Sequence, residues 1–359
     1  MVAFVENEFG RLVPASVRRG RNDVTTHERK DRTVRNSSPI LVLGSVNVDL
    51  VTRGTRLPVA GETVIGAEFF QAAGGKGANQ AVAAARLSNG AVTLVAAVGD
   101  DPFGRQSLDR FRDENLVVDY IKTVPNSPTG VALIMVDQHG ENCISVASGA
   151  NRDLSPEDVA VIPDAVFQSA RVFLTCLESP WSTVAAGLQR ARSAGLTTIL
   201  NPAPASAELA GHPMLRDVDI VTPNEGEAEQ LTGTHLDRDH SLQTAGQRLR
   251  QAGVGDVVFT LGVRGAAIFD GSLTSLPASA SEVVDTTAAG DAFNGALAVG
   301  LAEGKSLQQA VQRAIVAAGI SVSRSGAQPS LPTRAEVASR IDQSVDGEQS
   351  CEIPPLDTV

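Results

Sequence analysis

The sequence predicts an α/β fold, in which helices flank both faces of a doubly wound, mostly parallel β-sheet. Short, continuous apolar runs alternate with alanine-rich segments of helical periodicity through most of the chain, which is typical of buried parallel strands that alternate with helices. Two segments, at about 50–73 and 128–147, instead alternate polar and apolar residues between turn signals. They predict a small antiparallel β lid, and an inert extension of the sheet edge is the alternative.

The predicted elements follow one another in the order expected for such a sheet. Strands are predicted at 40–46, 92–98, 172–175, 198–200, 220–222, 257–260 and 266–269. Helices are predicted at 77–87, 104–114, 182–194, 225–231, 241–252, 292–303 and 307–323. Because ligands bind at the carboxyl ends of the strands in open α/β sheets, we expect a site in the loops that follow the strands.

The two ends of the chain differ from this central part. Residues 1–37 are polar, of mixed charge and without periodicity, which predicts a disordered N-terminal extension. Residues 343–359 predict a disordered tail for the same reason. At 359 residues the chain is long enough to bury a large core, and between these ends it could hold one large α/β domain or two smaller ones.

Composition limits the classes of partner. A net charge of −11 argues against nucleic acid, because binding to a phosphate backbone needs a basic surface. No apolar run approaches the roughly 18 residues of a membrane span. Cys143, Cys176 and Cys351 are too widely separated for a disulfide framework or a zinc site. These features predict a cytoplasmic protein without a nucleic-acid or membrane partner.

The most informative segment is DTTAAGDAFN, at residues 285–294. Its small residues precede an alanine-rich helical pattern, so that backbone N–H groups and the helix dipole can hold an anion at this junction. Asp291 would repel a phosphate, but it suits a general base that takes a proton from an attacking hydroxyl. The alternative is an ordinary helix start that Asp285 or Thr286 caps, and this segment alone does not decide between the two.

Segments near the first two predicted elements offer further candidates. Asn47 and Asp49 follow the first strand, where they could bind a polyol or simply cap a turn. The segment GGKGAN at 74–79 fits neither a Walker A motif nor a dinucleotide-binding fingerprint. Its glycines instead permit close approach to a compact ligand, to which Lys76 and Asn79 offer hydrogen-bond donors.

Later segments are weaker candidates. Glu178 follows a strand, and Asn224 and Glu227 share one face at the start of a helix. That pair suits the ordering of metal-bound water near phosphates, although solvent-exposed helix starts often look the same. TLGVRG at 260–265 joins a strand to a glycine-rich turn, and RSGAQPS at 324–330 is a loop rich in carbonyl and hydroxyl groups.

Together, these segments resemble the ribokinase family of carbohydrate kinases, also called the phosphofructokinase-B family. The motifs GSVNVDL, GGKGANQAVAAARL, TGVALI, LESP, NPAP, TPNEGEAE, TLGVRG and DTTAAGDAFNGAL occur in the family's order. The resemblance covers about residues 39–340. It implies a ribokinase-like carbohydrate kinase domain at 38–342 that phosphorylates D-ribose at O5 with ATP.

The resemblance also implies a role for each matching position. The sugar hydroxyls would be bound by Asn47, Asp49, Gly75, Lys76, Asn79 and Glu178. Asp291 would be the catalytic base, and the backbone N–H groups of Ala288, Ala289 and Gly290 would form the anion hole for the transferred phosphoryl group. The nucleotide site would be formed by Asn224, Glu227, Thr260, Gly262, Val263, Arg264, Gly265 and Gly290. Asn224 and Glu227 would also help to order Mg²⁺.

An activating potassium ion and a dimer are further implications of the resemblance. The residues at the family's potassium positions, which act mostly through backbone carbonyl groups, are Asp285, Thr287, Ser321, Arg324, Gly326 and Ser330. Thr287 stands where some relatives carry an apolar residue, a difference that leaves a carbonyl contact intact. The segments at 50–73 and 128–147 match a lid that pairs two subunits in the family, so the resemblance implies a homodimer.

Three alternatives remain. The chain could be a kinase of the same family for deoxyribose, fructose or a nucleoside, because a few contacts select the substrate within one fold. A nucleoside is disfavoured because its base would need an apolar platform, and aromatic residues make up only 4% of the chain. A sugar-binding regulator would have lost the base or the anion hole, and both motifs are present. A nucleotide-dependent oxidoreductase would need a glycine fingerprint that the sequence lacks.

Overall fold

The computed structural model describes residues 4–6, 12–14, 40–236, 239–279 and 281–349. Two compact units, Met1–Val34 and Arg35–Val359, divide the chain. In the first unit, strands β1 (Phe4–Glu6) and β2 (Leu12–Pro14) pair in antiparallel orientation. The other residues of the extension predicted to be disordered, and residues 350–359 of the predicted tail, lie outside the described residues.

The strands of the second unit form two sheets. In chain order they are β3 (Ile40–Leu43), β4 (Asn47–Arg53), β5 (Glu68–Gly74), β6 (Val92–Gly99), β7 (Leu116–Val117), β8 (Ile121–Val124), β9 (Gly130–Val136), β10 (Asn142–Ala147), β11 (Val172–Thr175), β12 (Thr197–Leu200), β13 (Ile220–Val221), β14 (Asp256–Thr260), β15 (Ala266–Phe269) and β16 (Leu273–Leu276). The main sheet has the order β16-β15-β14-β13-β12-β11-β3-β6-β7, and β8 also pairs with β6. All its pairs from β14 to β7 are parallel, whereas β15 and β16 add antiparallel pairs at one edge, which confirms a mostly parallel sheet.

Helices pack on both faces of the main sheet. In chain order they are α1 (Lys76–Leu87), α2 (Pro102–Asp113), α3 (Pro156–Ala160), α4 (Asp164–Ser169), α5 (Trp181–Ser193), α6 (Glu225–Thr232), α7 (Asp239–Gln251), α8 (Ala289–Ala302), α9 (Leu307–Ser321) and α10 (Arg334–Gln349). Short 3₁₀ turns lie at Gly149–Asp153, Ala207–Gly211, Pro213–Asp217, Gly262–Arg264 and Gln328–Ser330. Alternate residues of the buried strand β3 join two apolar clusters, one with α1, α8 and α9 and the other with α5, α6 and α7. The doubly wound prediction is therefore confirmed.

The second sheet corresponds to the predicted lid. Its strand order is β10-β9-β4-β5. The pairs β9–β10 and β4–β5 are antiparallel, which confirms the predicted small antiparallel lid, and the central pair β4–β9 is parallel. The reason is connectivity: β4 and β9 are far apart in the chain, and only directly connected strands are constrained to the antiparallel orientation of a hairpin.

Two predicted boundaries lie elsewhere in the structure. Strand β3 ends at Leu43, and Asn47 and Asp49 therefore belong to the first residues of the lid strand β4 rather than to the exit of the main strand. At the other end of the domain, α10 continues to Gln349, so the predicted domain end at 342 lies inside a helix. Among the helices of the described residues, none is both long enough and apolar enough to cross a membrane.

A close approach of two glycines fixes where α1 begins. A Cβ atom at Gly77 would lie 2.5 Å from the Cα atom of Gly44 and from the backbone nitrogen of Ser45. These main-chain atoms follow β3 directly, so only a residue without a side chain lets the first turn of α1 contact the end of the central strand. The sequence places two glycines at this contact, and the start of α1 is held at the carboxyl end of the main sheet.

We expect the substitution Gly77→Ala to destabilise the domain by about 1–3 kcal/mol, because the added methyl group overlaps main-chain atoms that cannot rotate away. The matched control is Gly211→Ala, since a Cβ atom at Gly211 has no neighbour within 4 Å. Denaturant-induced unfolding of both variants measures the difference. Equal free energies of unfolding for the two variants would contradict the close approach.

Candidate active site

The carboxylate of Asp291 is buried in the first turn of α8, with only 4% of the residue exposed. Asn79 Nδ2 donates a hydrogen bond to its Oδ2 atom at 3.0 Å, and Gln80 Nε2 donates to its Oδ1 atom at 3.0 Å. Gln80 Nε2 also donates to Asn201 Oδ1 at 3.0 Å. Both oxygens of a buried carboxylate are therefore held by neutral amide donors from consecutive residues of α1.

The pKa of Asp291 is set by opposing effects. Burial raises it above the usual value of an aspartate, whereas the ammonium group of Lys76 and the amides of Asn79 and Gln80 lower it. Burial dominates, and the pKa is raised. A carboxylate with a raised pKa is a better proton acceptor than an ordinary aspartate, which suits a general base.

Glu178 connects three segments that are distant in the sequence. Its Oε2 atom accepts a hydrogen bond from the hydroxyl group of Ser45 and another from the backbone N–H of Lys76 at 3.0 Å. The Ser45 hydroxyl in turn accepts from the backbone N–H of Gly77 at 3.3 Å. The ends of β3 and β11 and the start of α1 thus meet at one carboxylate, as expected for the carboxyl edge of a parallel sheet.

The charged side chains of this edge influence one another. Burial raises the pKa of Asp49 to about 6, and the carboxylates of Glu178 and Asp291 add to this rise. Burial lowers the pKa of Lys76, but the carboxylates of Asp291 and Glu178 more than compensate, and the pKa is raised. The ammonium group of Lys76 therefore stays charged among carboxylates, which leaves a cluster of acceptors with one strong donor.

Asn47 is positioned by a residue that the sequence motifs did not reveal. Asn151 Nδ2 donates to Asn47 Oδ1 at 2.8 Å and to the backbone oxygen of Val46 at 3.0 Å, and Asn151 Oδ1 accepts from the Val46 N–H at 2.8 Å. A Cβ atom at Gly130 would lie 2.2 Å from Asn47 Oδ1, so the side chain also packs directly on the lid strand β9. Asn47, the first residue of lid strand β4, is thus held by Asn151 of the 3₁₀ turn at Gly149–Asp153 and by lid strand β9.

The start of α8 is not capped by a side chain. Ala288 occupies the N-cap position in the left-handed region, at φ 59°, and makes no side-chain cap hydrogen bond. The N–H of Ala289 donates to the backbone oxygen of Thr286 at 3.2 Å, in a turn before the helix. The alternative of an ordinary helix start capped by Asp285 or Thr286 is therefore not what the structure contains.

Asp285 instead joins its own turn to the loop that follows α9. Its Oδ1 atom accepts from the N–H and the hydroxyl of Thr287 at 2.9 and 2.6 Å, and its Oδ2 atom accepts from the N–H of Gly326 at 2.8 Å. Burial opposes ionisation, but these hydrogen bonds outweigh it and lower the pKa of Asp285. The hydroxyls of Ser321 and Ser330 lie 2.8 Å apart in the same loop region. The Arg324 side chain pairs with Glu336 instead, so only its backbone remains for an ion.

The predicted nucleotide residues lie on neighbouring strand ends. Asn224 Oδ1 accepts from the Glu227 N–H at 2.8 Å, and Glu227 Oε2 accepts from the Asn224 N–H at 2.9 Å, which forms a capping box at the start of α6. Asn224 also forms an isolated parallel β-bridge with Thr260 at the end of β14. Beyond it, Gly262–Arg264 form a 3₁₀ turn in which Val263 is 86% exposed.

Two further features complete this side of the site. Arg264 forms an ion pair with Glu225, and Gly265 has a φ of 87°, a conformation that favours glycine. Burial raises the pKa of Glu227, although the Asn224 N–H and the charge of Lys76 oppose the rise. This side of the site therefore consists of an exposed turn at Gly262–Arg264, which carries the apolar Val263, and the carboxylate of Glu227. One oxygen of that carboxylate lies outside the capping box.

Three buried amides contribute to the site although the sequence reasoning did not single them out. They are Gln80, Asn151 and Gln328. Gln80 and Gln328 lie inside motifs that the family resemblance includes, which is the only signal that pointed to them. Gln80 Oε1 is buried and has no hydrogen-bond partner among the described residues, an arrangement that proteins usually avoid outside functional sites.

Known proteins resemble this chain over most of its length. The sequence matches the family described as pfkB family carbohydrate kinase at residues 38–334. It is 40% identical over 298 residues to a ribokinase of Haemophilus influenzae, across 83% of this chain and 96% of that protein. It is 35% identical over 295 residues to a deoxyribokinase of Salmonella typhi, across 82% of this chain and 95% of that protein.

The fold agrees with these similarities. The solved structure of Arabidopsis thaliana ribokinase complexed with ribose and ATP has a TM-score of 0.77 and 32% identity, and the match covers 85% of this chain and 99% of that one. The ribokinase-like fold predicted from the motif order is therefore confirmed. Because the family match and the 40% identical relative both cover most of the chain, the chain belongs to the pfkB family of carbohydrate kinases.

Proposed function

We propose that the chain phosphorylates D-ribose at O5 with ATP and yields ribose 5-phosphate and ADP. The observation that carries this proposal is the buried carboxylate of Asp291 beside a helix start that has no side-chain cap. A base next to an anion-binding helix start is what phosphoryl transfer to a hydroxyl requires. The similarity to ribokinases, one of which was solved with ribose and ATP, supports ribose as the sugar.

In the proposed reaction, Asp291 takes the proton of the O5 hydroxyl as this oxygen attacks the γ-phosphorus of ATP. A new P–O bond forms to O5, the bond to the β-phosphate oxygen breaks, and ADP leaves. The two amide donors keep the carboxylate in one orientation, so that it is pre-positioned for the proton. The raised pKa increases its affinity for that proton at neutral pH.

The start of α8 would stabilise the transferring phosphoryl group. The N-terminal N–H groups of a helix have no intrahelical partners and carry a partial positive charge. We assign the anion hole to the N–H groups of Ala288, Ala289 and Gly290, of which the Ala289 N–H would exchange its 3.2 Å bond to the Thr286 oxygen for a phosphoryl oxygen. Asn294 stabilises this turn, because its Nδ2 atom donates a hydrogen bond to the Gly290 backbone oxygen at 2.8 Å.

The cluster of acceptors around Lys76 would bind the sugar. A polyol both donates and accepts hydrogen bonds, and the carboxylates of Asp49 and Glu178 accept while the Lys76 ammonium group donates. The amides of Asn47 and Asn79 each keep donor or acceptor capacity beyond their bonds within the protein. We therefore propose these residues, with the backbone of Gly75, as the ribose site.

ATP would lie across the loops after β13 and β14, and Mg²⁺ would accompany its phosphates. The described residues contain no group of three or more His, Cys, Asp or Glu side chains that could hold a metal ion by themselves. Mg²⁺ bound to nucleotide phosphates needs only one or two protein carboxylates, and Glu227 has one carboxylate oxygen outside its capping box. The residues fit this role, in which Mg²⁺ neutralises phosphate charge.

A potassium ion beside the anion hole is also part of the proposal. Asp285 links the turn before α8 to Gly326, and Val322 O accepts from the backbone N–H groups of Val284 and Asp285 at 2.8 and 3.1 Å. Two chain segments rich in carbonyl oxygens are thereby held side by side, and oxygen donors of this kind suit K⁺. Such an ion would add positive charge close to the start of α8.

The lid supports the proposal of a homodimer. Phe70, Val51, Ile134 and Ile144 form one row across its four strands, on the face that also carries Asp49. Phe70 is 43% exposed and Ile144 is 53% exposed. Exposed apolar residues on one face of a sheet often mark an interface, and a second copy of the chain would cover Phe70 and Ile144.

The expected setting follows from composition. The three scattered cysteines support a reducing compartment, which we propose to be the cytoplasm. The net charge of −11 supports small anionic and neutral partners rather than nucleic acid.

An ATP-coupled assay tests the function with ribose, deoxyribose, fructose and adenosine, each with and without potassium. We expect the highest kcat/KM with ribose, and a fall in kcat of about 10²- to 10⁴-fold in Asp291→Asn, because this change removes the general base. ATP affinity, measured by calorimetry, should change little in that variant. Preference for adenosine would overturn the substrate, and a wild-type kcat in Asp291→Asn would overturn the mechanism.

Ribose binding should depend on the ionisation of Asp49. Its pKa of about 6 means that the carboxylate is mostly ionised above this pH and mostly protonated below it. The ionised form is the stronger acceptor, so we expect the affinity for ribose to fall as the pH is lowered through about 6. Calorimetric titrations without ATP measure this step. The idea fails if Asp49→Asn retains the same step.

The dimer can be tested by placing a charge on the apolar lid face. We expect Ile144→Asp to produce a monomer in light scattering coupled to size-exclusion chromatography, because a carboxylate at this position would be buried without a partner in the interface. Val161→Asp is the matched control, since Val161 is 79% exposed at the end of α3 and belongs to none of the lid strands. A wild-type mass for both variants would exclude this face as the interface.

A further inference from the structure

The hydrogen bonds that hold the base begin in the loop after α9. Gln328 Nε2 donates to Asn79 Oδ1 at 3.2 Å, and Asn79 Nδ2 donates to Asp291 Oδ2 at 3.0 Å. All three side chains are buried. We propose that Gln328 is a positioning residue, which orients the Asn79 amide so that its nitrogen faces the base Asp291. This inference rests on the proposed function, because it assigns a role relative to the base.

Helix α1 holds Gln328 at its main chain as well as at its side chain. Arg86 Nη1 donates to the backbone oxygen of Gln328 at 2.8 Å and to that of Leu331 at 2.9 Å. The same guanidinium group pairs with Glu114, where Nε donates to Oε2 at 3.0 Å. Arg86 and Asn79 are about two helical turns apart and therefore lie on one face of α1. Two residues of that face, Asn79 and Arg86, fix the loop relative to the base through three hydrogen bonds.

The chemistry of the groups gives this chain of hydrogen bonds one direction. An ionised carboxylate only accepts hydrogen bonds, so the Asn79 side chain must present its nitrogen to Asp291. The Asn79 oxygen then points away from the base and needs a donor, because a buried acceptor without a partner is costly. Gln328 supplies that donor. Without it, the Asn79 amide loses the contact that favours this orientation over the reversed one, in which its oxygen would face the carboxylate.

The other oxygen of the base is held independently. Gln80 donates to Asp291 Oδ1 and to Asn201 Oδ1, and neither contact involves Gln328. Loss of the Gln328 amide should therefore weaken the hold on Oδ2 alone. We expect a partial loss of activity, smaller than that caused by removal of the base.

The proton affinity of the base should change together with its orientation. Four charged groups interact electrostatically with Asp291, namely Lys76, Glu178, Asp49 and Glu227, and so does the thiol of Cys176, whose pKa is raised by burial. Substitution of Gln328 leaves all four in place. The Asn79 hydrogen bond lowers the pKa of Asp291, so its loss should raise that pKa further. The acid limb of the kcat/KM profile should therefore move to higher pH.

The test compares Gln328→Met with Gln328→Glu. Methionine preserves the length of the side chain and removes the donor, and we expect kcat to fall about 10- to 100-fold with little change in KM for ribose or ATP. At pH above neutral, glutamate presents an ionised acceptor to the Asn79 oxygen and should favour the reversed amide. The Gln328→Glu variant should then be slower than Gln328→Met. Gln189→Met, an exposed glutamine of α5, is the control and should match the wild type.

Each outcome decides the inference. A lower kcat with an acid limb shifted to higher pH, in variants that retain the wild-type affinity for ATP, supports the positioning role. A wild-type kcat and acid limb in Gln328→Met overturns it, as does a loss of stability and ATP affinity without a shift of the acid limb. If Asp291→Asn is inactive while Gln328→Met is fully active, this inference is refuted and the proposed function stands. A fully active Asp291→Asn would refute the proposed function.

Discussion

The burial of a single carboxylate, that of Asp291, is the constraint on which the arrangement of the site depends. A buried charge is strongly unfavourable unless it is paired or hydrogen-bonded, and here the charge of Lys76 and two neutral amides from α1 provide the compensation. The amides can reach the carboxylate because α1 and α8 pack closely: a Cβ atom at Gly295 would lie 2.6 Å from that of Ala83. Small residues at the helix contact therefore determine whether the base can be buried at all.

Neutral donors have a chemical advantage over a salt bridge at this position. An amide holds a carboxylate in a fixed orientation without neutralising it, so the base keeps its capacity to accept a proton. Lys76 contributes charge from a distance, and its influence on Asp291 opposes burial without an ion pair that would have to break during turnover. The same separation of roles recurs at Glu178, which is held by a hydroxyl and a backbone N–H.

Much of the fold follows from sequence periodicity, because in a long element the spacing of the apolar residues indicates both its type and its buried face. The predicted strand at 172–175 and helix at 307–323 agree closely with β11 and α9, whereas two-residue β7 and the short α3 are too brief to show a period. The amides of the site were harder to foresee. Gln328 and Asn79 are 249 positions apart in the sequence, and a glutamine or an asparagine gives no indication of which residue it will contact. Connectivity likewise hid the parallel lid pair, since strand direction depends on tertiary contacts.

The lid strands and the proposed sugar site share residues. Asn47 at the start of β4 pairs in register with Gly74 at the end of β5, and a Cβ atom at Gly74 would lie 2.3 Å from Asp49 Oδ1. The carboxylate proposed to bind ribose thus belongs to the lid sheet rather than to the main sheet. Any displacement of that sheet would carry Asp49 with it, so in the proposed reaction opening of the lid and release of the sugar phosphate would become one physical event. The rate of that opening would then set an upper limit on turnover.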